Sequence, residues 1–346
     1  MVIFFIPYHA IGGAERVHLE IAKSLDTKPI IFFDNIFKGQ ISSEFLETAY
    51  CFKLNSKLKK KILKFFLLFL NRFIKIILFG SNSVFFFELI AKLKSVKSID
   101  LTHAFSTPEI WLERHSIKYI DFIDVRVVIN QKTFNDFEDL YHSNGVEPIY
   151  LNRFRMINNG VQIFPLNHGF LSSRFDQFTI GWVGRNSPEK RLDLFIKIAT
   201  ETPFNVKIIT DKYDSEYIQS ENFKVVKGLN DFESVRNEFS EISVLLVTSS
   251  REGFPLVIME AMELGIPVIS TDVGGIKEHI THEKTGFLIE DRHDYEIIQD
   301  FHRVLQSLES NFDLYEKICL ASRHYAEMYF ELESFRANYR KLFDEE

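Results

Sequence analysis

The chain has 346 residues, 46% of them hydrophobic and 26% charged, which excludes a disordered protein and fits two globular domains better than one. Two distant cysteines, Cys51 and Cys319, exclude a disulfide framework or a Cys-rich zinc site and make a reducing compartment the expectation. The net charge of −7 conceals a basic block: residues 53–97 carry eleven Lys or Arg against one acid, Glu88, and the rest of the chain carries thirty basic against forty-seven acidic groups. Such a block predicts a local anionic partner. The opening run Met1–Ile6 is stopped by Pro7, too short for a signal peptide. No run of 18 uncharged apolar residues predicts a membrane-spanning helix.

In chain order, short apolar runs alternate with amphipathic stretches, the pattern of an α/β protein with parallel sheets. Val2–Pro7 and Pro29–Phe33 read as strands. Between them, Val17, Leu19, Ile21, Ala22 and Leu25 give Ala14–Leu25 a helical period. Residues 57–79 read as one or two basic helices, and Ser98–His103 and Val125–Asn130 as further strands. Asn159-Gly160 marks a turn, and the stretch 160–175 has little periodicity. The expected division is 1–165 and 166–325, with the final helix, 326–346, packing back on the first domain. In the second half Thr179–Gly184, Asn205–Thr210, Ile242–Thr248 and Pro267–Thr271 read as strands. Pro188–Thr200, Pro255–Leu264, 293–309 and 313–340 read as helices. Gly265 suits a left-handed cap after the helix ending at Leu264.

Three constellations carry chemistry. In Ser249–Ala261 a strand ends, Gly253 turns the chain, and Pro255 suits the first turn of a helix. The amides of Phe254, Pro255, Leu256 and Val257 then form a helix tip suited to phosphate. Glu260, one turn further in, shares a face with Leu256 and Val257 and is suited to accept both hydroxyls of a ribose. Glu252, before the turn, is suited to a sugar hydroxyl. The structural alternative is two solvated glutamates beside a surface helix. In Gly184–Arg191, Ser187 is a plausible N-cap with Pro188 at the first helical position. Lys190 and Arg191 then lie in a first turn that disfavours cations by roughly 0.3–1 kcal/mol each, a sign that an anionic ligand reverses. Arg185 at the strand end suits a forked grip on the same ligand. The alternative is a solvated Arg191 and a Lys190 paired with a nearby acid. The third constellation, Tyr8–Arg16, has adjacent Gly12 and Gly13, which let a backbone approach a ligand closely. It lacks the G-x-G-x-x-G dinucleotide fingerprint.

These residues resemble a family 4 retaining glycosyltransferase of the group 1 glycosyl transferases. Glu252 to Glu260 fits that family's E-x7-E motif. Gly184, Arg185, Glu189 and Lys190 fit its "GR…EK" phosphate motif, Gly12–Val17 its "GGAERV", and Asn159-Gly160-Val161 its "NGV". Val273-Gly274-Gly275 and Thr285–Leu288 also fit, and residues 179–290 carry most of the likeness. The resemblance implies the GT-B fold, two facing Rossmann-like domains with a cleft between them. It implies that Arg185 and Lys190 bind a donor diphosphate, Glu260 the ribose and Glu252 the transferred sugar. Gly253, Phe254, Pro255, Leu256 and Val257 complete the donor site, with Gly12 and Gly13 closing over the phosphates. It implies no cofactor and no divalent metal, only a nucleotide sugar as cosubstrate, a UDP-sugar being favoured. It also implies a histidine near the reacting sugar. His103, at a strand end, is the first choice and His115 the second, and a structural role for either is the alternative.

Along the basic block, Leu58, Ile62, Phe65, Phe66, Phe69, Phe73, Ile76 and Ile77 recur at helical spacing, with Lys57, Lys60, Lys61, Lys64, Asn71, Arg72 and Lys75 on the other faces. Either the helix buries its aromatics in its own domain and solvates its lysines, or it lies on an anionic lipid surface. The two combine if the aromatics point inward and the lysines toward lipid. The expectation is a hexosyltransferase-type enzyme, cytoplasmic or peripheral on the inner face of the plasma membrane. Its acceptor would be a glycan or lipid-linked, in surface polysaccharide or lipopolysaccharide-type biosynthesis. A nucleotide-sugar epimerase or hydrolase, and a non-catalytic membrane-docked partner of another transferase, are the alternatives. Nucleic acid is not expected as a partner, since no such module is present and the chain is acidic.

Overall fold

A computed structural model describes residues 1–7, 12–34, 40–105, 112–166, 169–211, 221–227 and 232–345. Tyr8–Ile11, the start of the third constellation, lie outside the described residues. The chain divides into two compact units, Met1–Asn159 with Glu333–Glu346, and Gly160–Leu332. Both are α/β and built on parallel sheets.

The first unit runs β1 (Val2–Ile6), α1 (Gly13–Lys23), β2 (Ile30–Phe33), α2 (Ser43–Thr48), β3 (Tyr50–Lys53), α3 (Lys57–Leu70), β4 (Ile77–Ser81), α4 (Val84–Ile90), β5 (Lys97–Thr102), α5 (Leu112–Ser116), β6 (Val125–Val128), α6 (Gln131–Ser143) and β7 (Phe154–Met156). Its sheet has the order β3-β2-β1-β4-β5-β6-β7. β1 and β2 are unbroken apolar runs because helices cover both faces of a parallel sheet, and Phe4, Phe5, Leu78, Phe79, Ile99 and Val127 are fully buried. β5 and β6 interrupt the pattern with Asp100 and Arg126, which pair at 2.6 Å in the interior. Side chains cap the helix starts: Ser56 accepts from Lys59 N and Asn130 from Thr133 N, each such cap contributing about 1 kcal/mol. The stretch 57–79 is one helix followed by a central strand, not two helices. Ile77, expected on a helical face, instead pairs with Val2 in the sheet.

The second unit runs α7 (Gly169–Asp176), β8 (Thr179–Val183), α8 (Leu192–Thr200), β9 (Asn205–Thr210), β10 (Phe223–Lys227), α9 (Phe232–Ser240), β11 (Val244–Val247), α10 (Leu256–Glu263), β12 (Val268–Thr271), β13 (Phe287–Ile289), α11 (Asp294–Glu309) and α12 (Phe312–Tyr329). Its sheet order is β10-β9-β8-β11-β12-β13. From β8 the chain winds outward through β9 and β10, then returns to add β11 on the other side of β8. The junction of β8 and β11 is therefore the switch point where ligands bind in open α/β sheets. Trp182, Phe195, Ile198, Leu246, Ile269 and Phe301 form its core.

The helix α13 (Leu332–Asp344) completes the first unit. Phe343 packs against Phe4 and Phe79, with ring centroids 6.0 and 6.1 Å apart. Arg336 Nε donates to Glu20 at 3.0 Å, and Lys97 Nζ to the Leu342 carbonyl at 2.6 Å. The expected single helix 313–340 is thus two helices. The break falls at Phe330, whose ring is fully buried beside Phe254 and His279, while its carbonyl accepts from Val161 N at 2.8 Å.

Candidate active site

Three loops leave the carboxyl ends of the adjacent strands β8, β11 and β12 and meet at Glu252. The loop after β8 does not begin one continuous helix. Pro188–Lys190 form a single 3-10 turn, and Arg191 takes a left-handed conformation with φ 49° before α8 starts. Ser187 Oγ bonds Glu189 at 2.8 Å rather than capping. Thr248 Oγ1, at the end of β11, donates 3.0 Å bonds to the carbonyls of Lys190 and Arg191, and Ser250 N reaches the Glu189 carbonyl at 2.8 Å. These bonds stitch the two motif loops together.

Arg191 therefore corrects the sequence reading. Its guanidinium bonds Asp291 at 2.6 Å and Asp294 at 2.9 Å, so it straps the loop to α11 and is neither solvated nor in a first helical turn. Lys190 reaches Glu252 Oε1 at 2.5 Å, and Ser249 Oγ donates to the same oxygen at 2.6 Å. The acid beside Lys190, left unnamed in the sequence, is Glu252. Arg185 is exposed at the end of β8, and its side chain has no ion-pair partner among the described residues.

The loop after β12 closes over the acidic turn. A Cβ on Gly274 would lie 1.8 Å from the Glu252 carbonyl oxygen, and Gly274 has φ +61°. Gly275 N donates to the Gly253 carbonyl at 2.8 Å. Only glycine combines that backbone with that approach.

Pro255 is the N-cap of α10, not its first helical residue, and a proline has no N–H to offer. The tip amides are those of Leu256 and Val257, too early in the helix for an intrahelical acceptor. Gly253 is buried at the turn. The Phe254 ring is buried, with centroids 4.3 Å from His279 and 5.4 Å from Phe330. Glu260 lines a small concavity with Val161, Gln162, Arg236 and Phe239. One turn on, buried Glu263 accepts from Arg236 and Phe164 N at 3.1 Å each and lies 3.3 Å from Arg323. No sequence signal singled out this cluster, whose members are remote in the chain. Gly265, at φ +61°, ends the helix as expected: its N–H bonds the Met262 carbonyl at 3.0 Å and that of Ile266 the Ala261 carbonyl at 2.8 Å.

In the first unit, Gly12 caps α1 and Gly13 opens it. A Cβ on Gly12 would come within 2.3 Å of the Glu15 carboxylate, whereas one on Gly13 would meet none of the described residues within 4 Å. The helix tip thus holds its own acid, a favourable place for negative charge. His103 follows β5. Its Nε2 lies 2.9 Å from Nε2 of His18, a buried residue of α1. Burial pushes His103 down to about 4, and burial, then the neighbouring His103, holds His18 well below the usual histidine range. Both rings are neutral at pH 7, so one must donate its Nε2 hydrogen and the other accept it. His18 Nδ1 is buried with no partner among the described residues. A buried unpaired N–H there would be costly, so His18 donates from Nε2 and His103 keeps its hydrogen on Nδ1. His115 instead packs among rings, 5.3 Å from Tyr119 and 6.4 Å from Phe87. Among the described residues no group of three His, Cys, Asp or Glu could hold a metal ion.

Residues 167–318 match the glycosyl transferases group 1 family. Over 158 residues the chain is 34% identical to an uncharacterized glycosyltransferase of Methanocaldococcus jannaschii, covering 43% of each chain. Over 154 residues it is 30% identical to the capsular polysaccharide biosynthesis glycosyltransferase CapM of Staphylococcus aureus, covering 38% of this chain and 40% of CapM. The aligned stretches thus span less than half the length of these relatives. Among solved structures, Anabaena HepE in complex with UDP matches with a TM-score of 0.78 at 16% identity, over 99% of both chains. The same protein with UDP-glucose gives 0.76, over 99% of this chain and 98% of HepE. The fold is the α/β, double Rossmann-like architecture of GT-B glycosyltransferases.

Proposed function

We propose that the protein is a family 4 retaining glycosyltransferase, moving a sugar from a nucleoside diphosphate to a glycan or lipid-linked acceptor of surface polysaccharide or lipopolysaccharide-type biosynthesis. The observation that carries this reading is the meeting of Lys190 and Glu252 at the switch point between β8 and β11, beside the tip of α10. In it, Arg185, Lys190 and the Leu256 and Val257 amides bind the diphosphate, Glu260 the ribose, and Glu252 the transferred sugar. Gly12 and Gly13 serve the phosphates, and His103 serves as a hydrogen-bond donor to the sugar. HepE, crystallised with UDP and UDP-glucose, supports a UDP-sugar as donor, and CapM supports a polysaccharide product.

The chemistry follows from charge. Cleaving the bond from anomeric carbon to phosphate oxygen leaves a diphosphate with added negative charge. Fixed cations and amides bind that state more tightly than the intact donor, and one such group contributes about 3 kcal/mol. The acceptor hydroxyl attacks on the face the phosphate leaves, so its proton passes to the departing oxygen and the anomeric configuration is retained. No metal takes part in this scheme.

A thermal-shift screen against UDP, GDP, ADP and their sugars tests donor binding. A nucleotide at 100 times its Kd stabilises by about 2.7 kcal/mol. NMR of the product then reads the anomeric centre. Inversion overturns the mechanism, and full donor turnover without acceptor overturns transfer in favour of hydrolysis or epimerisation.

A further inference from the structure

We propose that α3 is an interfacial anchor that inserts its apolar ridge into the surface of an anionic lipid bilayer. The inference is independent of the glycosyltransferase reading. On the helix, the face that packs on its own unit is Leu63 and Leu67. The opposite face carries Leu58, Ile62, Phe65 and Phe69 at steps of four, three and four residues, the helical repeat of one stripe. These side chains are 67%, 61%, 76% and 53% exposed, with Phe66 at 54% beside them. Phe73, 69% exposed just past the helix, extends the ridge, its ring centroid 5.2 Å from that of Phe69. The aromatics therefore point outward, correcting the inward placement that the sequence allowed.

The charges fit the same surface. Lys57, Lys61 and Lys64 repeat the same steps one residue ahead of the ridge, which places them as a row along its flank. None of the three has a carboxylate within ion-pair reach among the described residues. Long lysine stems reach up from an apolar bed to anionic headgroups, and juxtamembrane lysines are attracted to them. A helix of 14 residues is too short to span a bilayer, so it lies in the interface plane. A second copy of the chain is a poorer occupant, because pairing two ridges would bring their lysine rows together. An acidic protein groove would need to match both the ridge and its basic flank, whereas a fluid interface accepts both without shape matching.

The test is co-sedimentation of the full chain with vesicles of phosphatidylcholine alone or with one third phosphatidylglycerol. The wild type is expected to partition at least about tenfold better onto the anionic vesicles. F65S/F69S and, separately, K57Q/K61Q/K64Q are each expected to lose about tenfold of that binding. Their unfolding temperatures and nucleotide-induced thermal shifts should match the wild type, which separates failure here from failure of the donor-site reading. Equal partition onto neutral and anionic vesicles overturns the proposal, as does binding that neither variant weakens. A dimer in analytical ultracentrifugation that F65S/F69S dissolves overturns it in favour of self-association.

Discussion

Lys190 Nζ lies 2.5 Å from Glu252 Oε1, and the side chains are 22% and 9% exposed. The lysine comes from the loop after β8 and the acid from the loop after β11, so the contact exists only because those strands are neighbours in the sheet. Removing the lysine leaves a nearly buried carboxylate with Ser249 as its remaining donor among the described residues. Lys190→Ala is expected to cost about 2 kcal/mol, below the 3–5 kcal/mol of a fully buried pair. Lys190→Met with Glu252→Gln should recover most of it in denaturant unfolding. Turnover should fall about 10²–10³-fold in either single variant. A single variant with both wild-type stability and wild-type turnover would remove Lys190 and Glu252 from the mechanism.

Glu260 gives a test by nucleotide chemistry. If its carboxylate accepts the ribose hydroxyls, calorimetry should find UDP bound about tenfold more tightly than its 2′-deoxy counterpart, a difference of about 1.4 kcal/mol. Glu260→Gln should weaken UDP and narrow that preference. Discrimination as sharp in the variant as in the wild type would move the ribose elsewhere.

The histidine pair predicts acid sensitivity in the first unit. His103 is held at about 4, below the ordinary 6.5, and His18 is lowered as well, in both cases chiefly by burial. Between those limits the unfolded chain binds more protons than the folded one, so stability rises with pH across the window and is lost as pH falls below 6.5. His103 alone accounts for about 3 kcal/mol. Hydrogen exchange of the β5 amides measured from pH 4.5 to 7.5 should follow this slope, and His103→Gln should flatten it. A slope unchanged in the variant would assign the acid sensitivity to other groups. In ¹⁵N spectra, His103 should keep its hydrogen on Nδ1 and lose that preference in His18→Phe.

Gly274→Ala should be among the most damaging single-methyl changes in the second unit. It forces a left-handed alanine and drives a methyl to within 1.8 Å of the Glu252 carbonyl oxygen. Overpacking of this kind costs roughly 1–3 kcal/mol before the backbone strain is added. A lowered unfolding temperature with displaced nucleotide binding is expected, and Gly13→Ala, which meets none of the described residues within 4 Å, is the fitting control for stability.

Strands such as β1, β8, β11 and β12 were legible because a parallel strand covered on both faces reads as a near-continuous apolar run. β4 was not, because Ile76–Phe79 continue the apolar run of α3 and only Asn71-Arg72 hint at the break. β7 and β13 have three residues each, below what periodicity resolves. The left-handed Arg191 and the break at Phe330 carry no Gly or Pro to announce them; tertiary bonds from Thr248 and Val161 hold them. Spacing identified Glu252, Glu260 and Lys190 as residues of interest, but the contact between Lys190 and Glu252 depends on strand order, which spacing does not contain. Phe254 looked like part of a binding turn because it follows Gly253 just before the tip of α10, while its ring is drawn into the aromatic cluster of His279 and Phe330. In α3 the periodicity revealed an aromatic stripe, yet two apolar stripes compete for the interior and only packing chose Leu63 and Leu67.

The helix α13 has a consequence for biosynthesis. The first 159 residues leave the ribosome long before Arg336, Leu342 and Phe343 are made, yet those residues cover Phe4 and Phe79 and clamp Glu20 and Lys97. Domains that emerge first generally fold first during translation, but here the nascent amino-terminal half must wait, with part of its apolar interior uncovered, until the whole second unit has been synthesised. Chaperone dependence and sensitivity to translational pausing should therefore concentrate in that half of the polypeptide.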